Sequence, residues 1–140
     1  MATFRLIEKV DMFSITPLLS MLNPSIPEHT LRERLTEMID HGYECLGVYE
    51  NKELIGICGL WILVKYYVGR HIEVDNVIIH PDYQGEGIGE QMMQWVYDYA
   101  RSKGCIASEL NCYTTNTGGN KFWHNQGYRI LGFHYRKDLL

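Results

Sequence analysis

Three glycines alternate through Tyr83-Gln84-Gly85-Glu86-Gly87-Ile88-Gly89, a segment lying between an apolar run and an amphipathic one. Glycine lets the main chain turn tightly and leaves no side chain between its amides and a ligand. Those amides, joined to the unpaired N–H groups and positive end of a following helix, form an anion site suited to a diphosphate. Glycine-rich turns between a strand and a helix also occur as plain turns. Three glycines within five residues at such a junction favour phosphate binding. The segment is not a P-loop, because Ile88-Gly89-Glu90 replaces the Gly-Lys-Ser/Thr that a P-loop requires. It also departs from the dinucleotide fingerprint, whose third glycine would fall elsewhere. Glu109, about twenty residues downstream, stands where a ribose-binding acid would be and keeps a nucleotide-binding oxidoreductase as a rival reading.

The surrounding chain narrows the setting. With 140 residues, a single domain over 1–140 is expected. Hydrophobic residues at 46% and charged residues at 21% give an ordinary globular balance. A net charge of −4 argues against nucleic acid or an anionic membrane as the main partner. The longest apolar segment, residues 54–64, contains two glycines and is too short to span a bilayer. The N-terminus lacks a basic region followed by an apolar one, so a cytoplasmic location is expected. Cys45, Cys58, Cys105 and Cys112 lie in apolar runs without close paired spacing, which predicts free thiols. Six histidines are scattered without a zinc-type spacing, so no metal is expected. Ten tyrosines and three tryptophans occur without a basic stripe, which disfavours base stacking. Tyr66-Tyr67, at a turn, stand out as an aromatic pair that could border a pocket or simply pack at an edge.

Periodicity supplies an element order. Residues 3–8 read as a strand. Thr16-Pro17 suggests a helix N-cap and first-turn proline, and the short helix ends before Pro24. A second helix opens at Pro27-Glu28, keeps Leu31, Leu35, Met38 and Ile39 at helical spacing, and stops at Gly42. Strands follow over 43–50 and 53–64 with a hairpin turn at Asn51-Lys52, then another over 70–80 after Gly69. A helix runs from the glycine loop through Arg101 to Gly104. A fifth strand over 105–113, a helix over Thr117–Asn125 and a last strand over 128–137 complete the chain. The expected fold class is α/β (α+β), a mixed sheet of order β-α-α-β-β-β-α-β-α-β, with helices on both faces.

With these elements in place, Gln84-x-x-Gly87-x-Gly89 resembles the Q/R-x-x-G-x-G/A signature of the GNAT superfamily of acyl-CoA-dependent N-acyltransferases. The likeness extends to Glu73-Val-Asp-Asn-Val-Ile-Ile-His-Pro-Asp-Tyr before the loop. It also takes in Asn116, Phe122-Trp123 and Gln126-Gly127-Tyr128 after it. It is specific from about Ile72 to Tyr128 and only topological before Tyr43.

The resemblance implies that main-chain amides of Gln84, Gly85, Gly87, Ile88 and Gly89 hold the pyrophosphate of acetyl-CoA. It implies that Ile78 and Ile79 pair through their main chain with the pantetheine arm, and that Asn116 offers its side-chain amide to the same arm. The acetyl carbonyl would be attacked directly by a neutral amine, so the protein must orient both reactants, accept a proton and stabilise an oxyanion. Glu73 and Asp75, two apart on one strand face, are the candidate bases. Partial desolvation would raise the pKa of either. Two acids on an alternating strand also fit a solvated face.

Trp123 departs from the pattern, since the family often has a tyrosine there to protonate the leaving thiolate. Indole N–H donates a hydrogen bond but is no proton source near neutral pH. Tyr113 is the remaining hydroxyl candidate. Gly119 stands where the family has alanine, a change expected to be mild. The reading is therefore acetyl transfer to a small-molecule or protein amine, with a homodimer admitted by the resemblance. The competing readings are an acyl-CoA-binding homologue with little catalytic activity and the oxidoreductase.

Overall fold

The hairpin turn expected at Asn51-Lys52 forms as the sequence suggests. Both residues take positive φ, 51° and 68°, the twist that suits a two-residue connection between strands. It joins β2 (Glu44–Glu50) to β3 (Glu53–Lys65) in a computed structural model that describes residues 1–140. With β1 (Thr3–Leu6), β4 (Gly69–Ile79) and β5 (Ala107–Leu110) these strands form one sheet of order β1-β2-β3-β4-β5. The first four pair antiparallel, and β4 pairs β5 in parallel. A parallel pair needs a crossover, which α3 (Ile88–Ser102) provides.

Strand alternation sends side chains to two cores. Leu46, Val48, Cys58, Leu60, Ile72 and Val74 pack under Ile88, Met92, Met93, Val96 and Ala100 of α3. Tyr43, Cys45 and Ile57 face the other way, toward Met12, Ile15, Leu18 and Leu35. These last four belong to a 3-10 segment at Lys9–Ile15, α1 (Thr16–Leu22) and α2 (Glu28–Asp40). α4 (Thr117–Asn125) joins the α3 side through Phe122 and Trp123. The mixed sheet with helices on both faces is thus present. All four cysteines are free, three of them buried, and burial pushes the Cys45 thiol up to about 12. No helix is long and apolar enough to cross a membrane.

Three expectations are corrected. Thr16 is not an N-cap: the 3-10 segment runs directly into α1, and the Thr16 hydroxyl instead donates to the Phe13 carbonyl and to Glu28. The fifth strand is short, because its pairing with β4 ends at Leu110. The last strand, expected over 128–137, does not form. Residues 128–140 have no regular structure, since a strand needs a neighbour's main chain and this segment meets none.

Candidate active site

The place where β5 parts from β4 defines the site. Pairing runs from His71↔Ala107 to Val74↔Leu110 and stops, while β4 continues to Ile79. Along residues 75–79 the β5 side of β4 is therefore open. On the other side the register with β3 shifts at Cys58/Gly59, which leaves Asn76 as an extra residue. A Cβ on Gly59 would overlap the Asn76 and Tyr43 side chains, so the bulge needs glycine opposite it. Beyond the bulge, His80 donates its N–H to the Ile55 carbonyl at 2.7 Å. The Ile78 carbonyl likewise lies toward Gly56 of β3. By strand alternation the main-chain groups of Val77 and Ile79 face the open side. Of the two residues named from sequence, Ile79 faces the open side and Ile78 faces β3; the position of the bulge, which sets this phase, is not legible in composition.

The glycine loop follows at once. Gly85 and Gly87 take φ of 81° and 77°, a left-handed conformation that strains any residue with a Cβ. Gly87 is the N-cap of α3 and supplies no side-chain cap, so the first N–H groups of that helix stay available. Gln84 Nε2 donates to the Ile79 carbonyl at 2.8 Å and ties the loop to the end of β4. The Ile88 side chain is buried in the α3 core. A Cβ on Gly89 would sit 3.2 Å from the Phe122 ring, so this glycine lets α3 and α4 approach. Asn116 caps α4 by accepting from Gly119 N–H at 2.9 Å, leaving its Nδ2 for another partner. A Cβ on Gly119 would overlap that side chain, so the glycine at this family alanine position accommodates the cap.

On the other flank of the fork, side chains gather. A cleft of about 150 Å3 is lined by Trp61, Glu73, Val74, Asp75, Leu110 and Asn111, room for a group about the size of benzene. Asp75 is spoken for at both oxygens, by Trp61 Nε1 at 3.1 Å and by Asn76 N–H at 2.8 Å. Glu73 Oε2 meets His71 Nε2 at 2.9 Å and Lys65 Nζ at 3.0 Å. Burial pushes the Glu73 carboxyl up, but hydrogen bonds and charge from His71 and Lys65 outweigh it and leave the group below the ordinary carboxylate range. The raised pKa expected for Glu73 is thus corrected, because its desolvation is more than compensated by the hydrogen bonds from His71 and Lys65.

His71 was not singled out from sequence, and it is fully buried beside the cleft residue Glu73. Its Nδ1 lies 3.0 Å from the Gly69 carbonyl while Nε2 meets Glu73. Both neighbours can only accept when Glu73 is ionised. The ring therefore faces an acceptor at each of its nitrogens. Glu109, from β5, comes within 3.7 Å of Nε2 and accepts from the Tyr67 hydroxyl at 2.6 Å. Tyr66 stacks edge-on to Tyr67 and is otherwise exposed. The donor atoms of His71, Glu73 and Glu109 lie within 4.8 Å of one another, a grouping that linear spacing hid, and Lys65 shares it.

The remaining candidates lie toward α4. Trp123 packs edge-on between Phe122 and Tyr128, with ring centroids 4.9 and 5.4 Å away. Tyr113 is exposed just beyond the end of β5. Tyr128 shares a 2.6 Å hydrogen bond with Ser108, and burial holds its hydroxyl above the ordinary tyrosine value.

A parallel β4–β5 fork opening onto a glycine-capped helix is the frame of an acyl-CoA-dependent transferase. The acetyltransferase (GNAT) family model matches residues 13–128, and the chain belongs to this family. The aminoalkylphosphonate N-acetyltransferase of Salmonella typhimurium is 26% identical over 90 residues, covering 64% of this chain and 58% of that protein. The chain thus spans under two thirds of that relative's length. The ribosomal-protein-alanine N-acetyltransferase of Brucella melitensis superposes with a TM-score of 0.84 over 99% of both chains at 22% identity. The aminoglycoside N-acetyltransferase AAC(6')-Iy, solved with the bisubstrate analogue CoA-S-monomethyl-acetylneamine, does so with a TM-score of 0.83 over 99% of both at 18% identity. Family membership, together with the antiparallel β3–β4 pair and the engagement of Glu109 with Tyr67, removes the grounds for an oxidoreductase.

Proposed function

We propose that the protein transfers the acetyl group of acetyl-CoA to a primary amine by direct attack. The observation that carries this reading is the fork, which leaves one stretch of main chain free beside a glycine-capped helix start and a carboxylate cleft. The pyrophosphate rests on main-chain N–H groups of Gln84, Gly85, Gly87, Ile88 and Gly89, where the helix dipole favours it. The pantetheine arm adds to β4 through Val77 and the Ile79 N–H rather than Ile78, since the Ile79 carbonyl already accepts from Gln84, and the Nδ2 of Asn116 reaches the same arm. The acceptor's ammonium enters the cleft and gives its proton to Glu73, which His71 and Lys65 hold in position. The neutral amine then attacks the acetyl carbon, and the C–S bond breaks as thiolate leaves. Asp75, already bound by Trp61 and Asn76, contributes negative charge rather than proton transfer. Tyr113 is the hydroxyl proposed to protonate the thiolate. No step calls for a metal.

Three carboxylates, Glu73, Asp75 and Glu109, against one exposed ammonium at Lys65 support a cationic acceptor, either a small diamine-like molecule or a protein amine. An anionic acceptor like the aminoalkylphosphonate named for the Salmonella relative suits this cleft less well. A cytoplasmic location and a homodimeric state complete the reading. A second reading, an acyl-CoA-binding protein with little turnover, draws support from Trp123 alone. Thiol release from acetyl-CoA with a panel of amines separates them. The proposal expects amine-dependent release, faster with diamines than with aminoalkylphosphonates. Acetyl-CoA binding without release for any amine would establish the second reading instead.

A further inference from the structure

We propose that His71, Glu73 and Glu109 form a binding site for one zinc-type divalent cation, which displaces Lys65 and closes the cleft to an incoming amine. The site stands on its own geometry. Its effect on turnover rests on Glu73 as the proton acceptor of the preceding reading.

The donor atoms come from two paired strands. His71 and Glu73 are two apart on one face of β4, and Glu109 of β5 is the register partner of Glu73. Main-chain pairing therefore fixes where all three side chains start. Their ligating atoms lie within 4.8 Å of one another. A zinc ion bound at about 2.0–2.2 Å would hold such atoms about 3.4 Å apart. His71 Nε2 stands 2.9 Å from Glu73 and 3.7 Å from Glu109, on either side of that spacing. One imidazole with two carboxylates suits zinc better than magnesium or calcium, which prefer oxygen ligands alone.

Two observations separate this cluster from an ordinary acidic patch. The first is the buried ring of His71, which faces acceptors at both nitrogens although a neutral imidazole has one N–H to give. With that hydrogen on Nδ1, toward the Gly69 carbonyl, the Nε2 lone pair is left pointing at carboxylate oxygen. Such a contact repels unless a cation lies between the two atoms. A metal-bound histidine commonly spends its other nitrogen on a main-chain carbonyl, as His71 does. The second observation is that a cation already rests on the cluster. Lys65 Nζ pairs with Glu73 Oε2 at 3.0 Å, and with its side chain 46% exposed it can swing out to solvent. Glu109 is steadied from outside by the Tyr67 hydroxyl, which lies 2.6 and 2.8 Å from its two oxygens. Three protein ligands leave a fourth position, which opens toward the cleft that Glu73 lines. A cation there engages the carboxylate needed to accept the amine's proton, so metal binding and transfer exclude each other.

Zinc chloride titrated by calorimetry into the full chain, freed of metal with EDTA, should bind at one ion per chain. Glu109→Gln should weaken binding about 100-fold, and Tyr67→Phe, which removes only the outer support, about tenfold. Lys65→Met should strengthen it about tenfold, because no ammonium has to be displaced. All three side chains are partly exposed, and circular dichroism checks that each variant is folded. Zinc should also stop formation of the acetylated amine, followed directly because free CoA thiol binds zinc, and EDTA should restore it. Binding with these variant effects but without inhibition would keep the site and remove Glu73 as the proton acceptor. No binding, or binding equally tight in the parent, Glu109→Gln and Tyr67→Phe, would overturn the proposal, the latter result placing the zinc on histidines elsewhere.

Discussion

The two flanks of the β4–β5 fork are built from different materials. The cofactor flank is main chain: two glycines at left-handed φ, an uncapped helix start, and strand residues whose N–H and C=O groups face an open edge. The acceptor flank is side chain: Glu73 held between a buried histidine and a lysine, Asp75 fixed by an indole, and Glu109 held by a tyrosine. Main chain is common to every protein of this topology, so the first flank can serve one shared cofactor. The second is free to differ between proteins, and specificity is expected there.

That division can be broken by substitution. The largest effect should come from Glu73→Gln, which removes the proton acceptor and should lower kcat by about 100- to 10,000-fold. The same variant should bind acetyl-CoA as the parent does in calorimetry. Gly87→Val should do the reverse. Nothing lies within 4 Å of a Cβ there, so no packing is lost, but the φ of 77° strains a β-branched residue and the approach of a diphosphate suffers, so the melting temperature should be followed alongside. Acetyl-CoA affinity should fall about 100-fold through lost amide contacts.

His71→Gln should have a smaller effect, about tenfold on kcat, with a signature in pH. His71 helps hold the Glu73 carboxyl low, so its loss should move the acid limb of the pH–rate profile upward. The linkage has a sign as well. A carboxylate lowered on folding contributes stability that is present above its unfolded pKa and fades as pH falls through the lower folded value. Melting curves of Glu73→Gln and the parent should therefore converge in acid. Trp123→Tyr is the mildest test. With a tyrosine at that position the thiolate gains a second proton donor, so an added Tyr113→Phe change should slow the variant less than it slows the parent. The smaller ring also leaves a gap beside Phe122 and Tyr128, so the melting temperature should drop slightly.

Legibility followed the same division. Gly85 and Gly87 were readable because positive φ restricts the residue type, and the Asn51-Lys52 turn was readable for a related reason. The α3 helix announced itself by period. His71 was invisible, because its role depends on parallel pairing that brings Glu109 of β5 beside β4. The outward turn of Val77 was hidden because one bulge residue, Asn76, reverses which main-chain groups face the open edge. The last strand was read correctly as a strand pattern and wrongly as a strand, since pattern does not supply a partner.

The most direct test of the main-chain account is amide hydrogen exchange with and without CoA. The account predicts slowed exchange at Val77, Ile79 and residues 85–89, with β1 and β2 unchanged. Protection confined to α1 and α2, with 77–89 exchanging as freely as before, would contradict it.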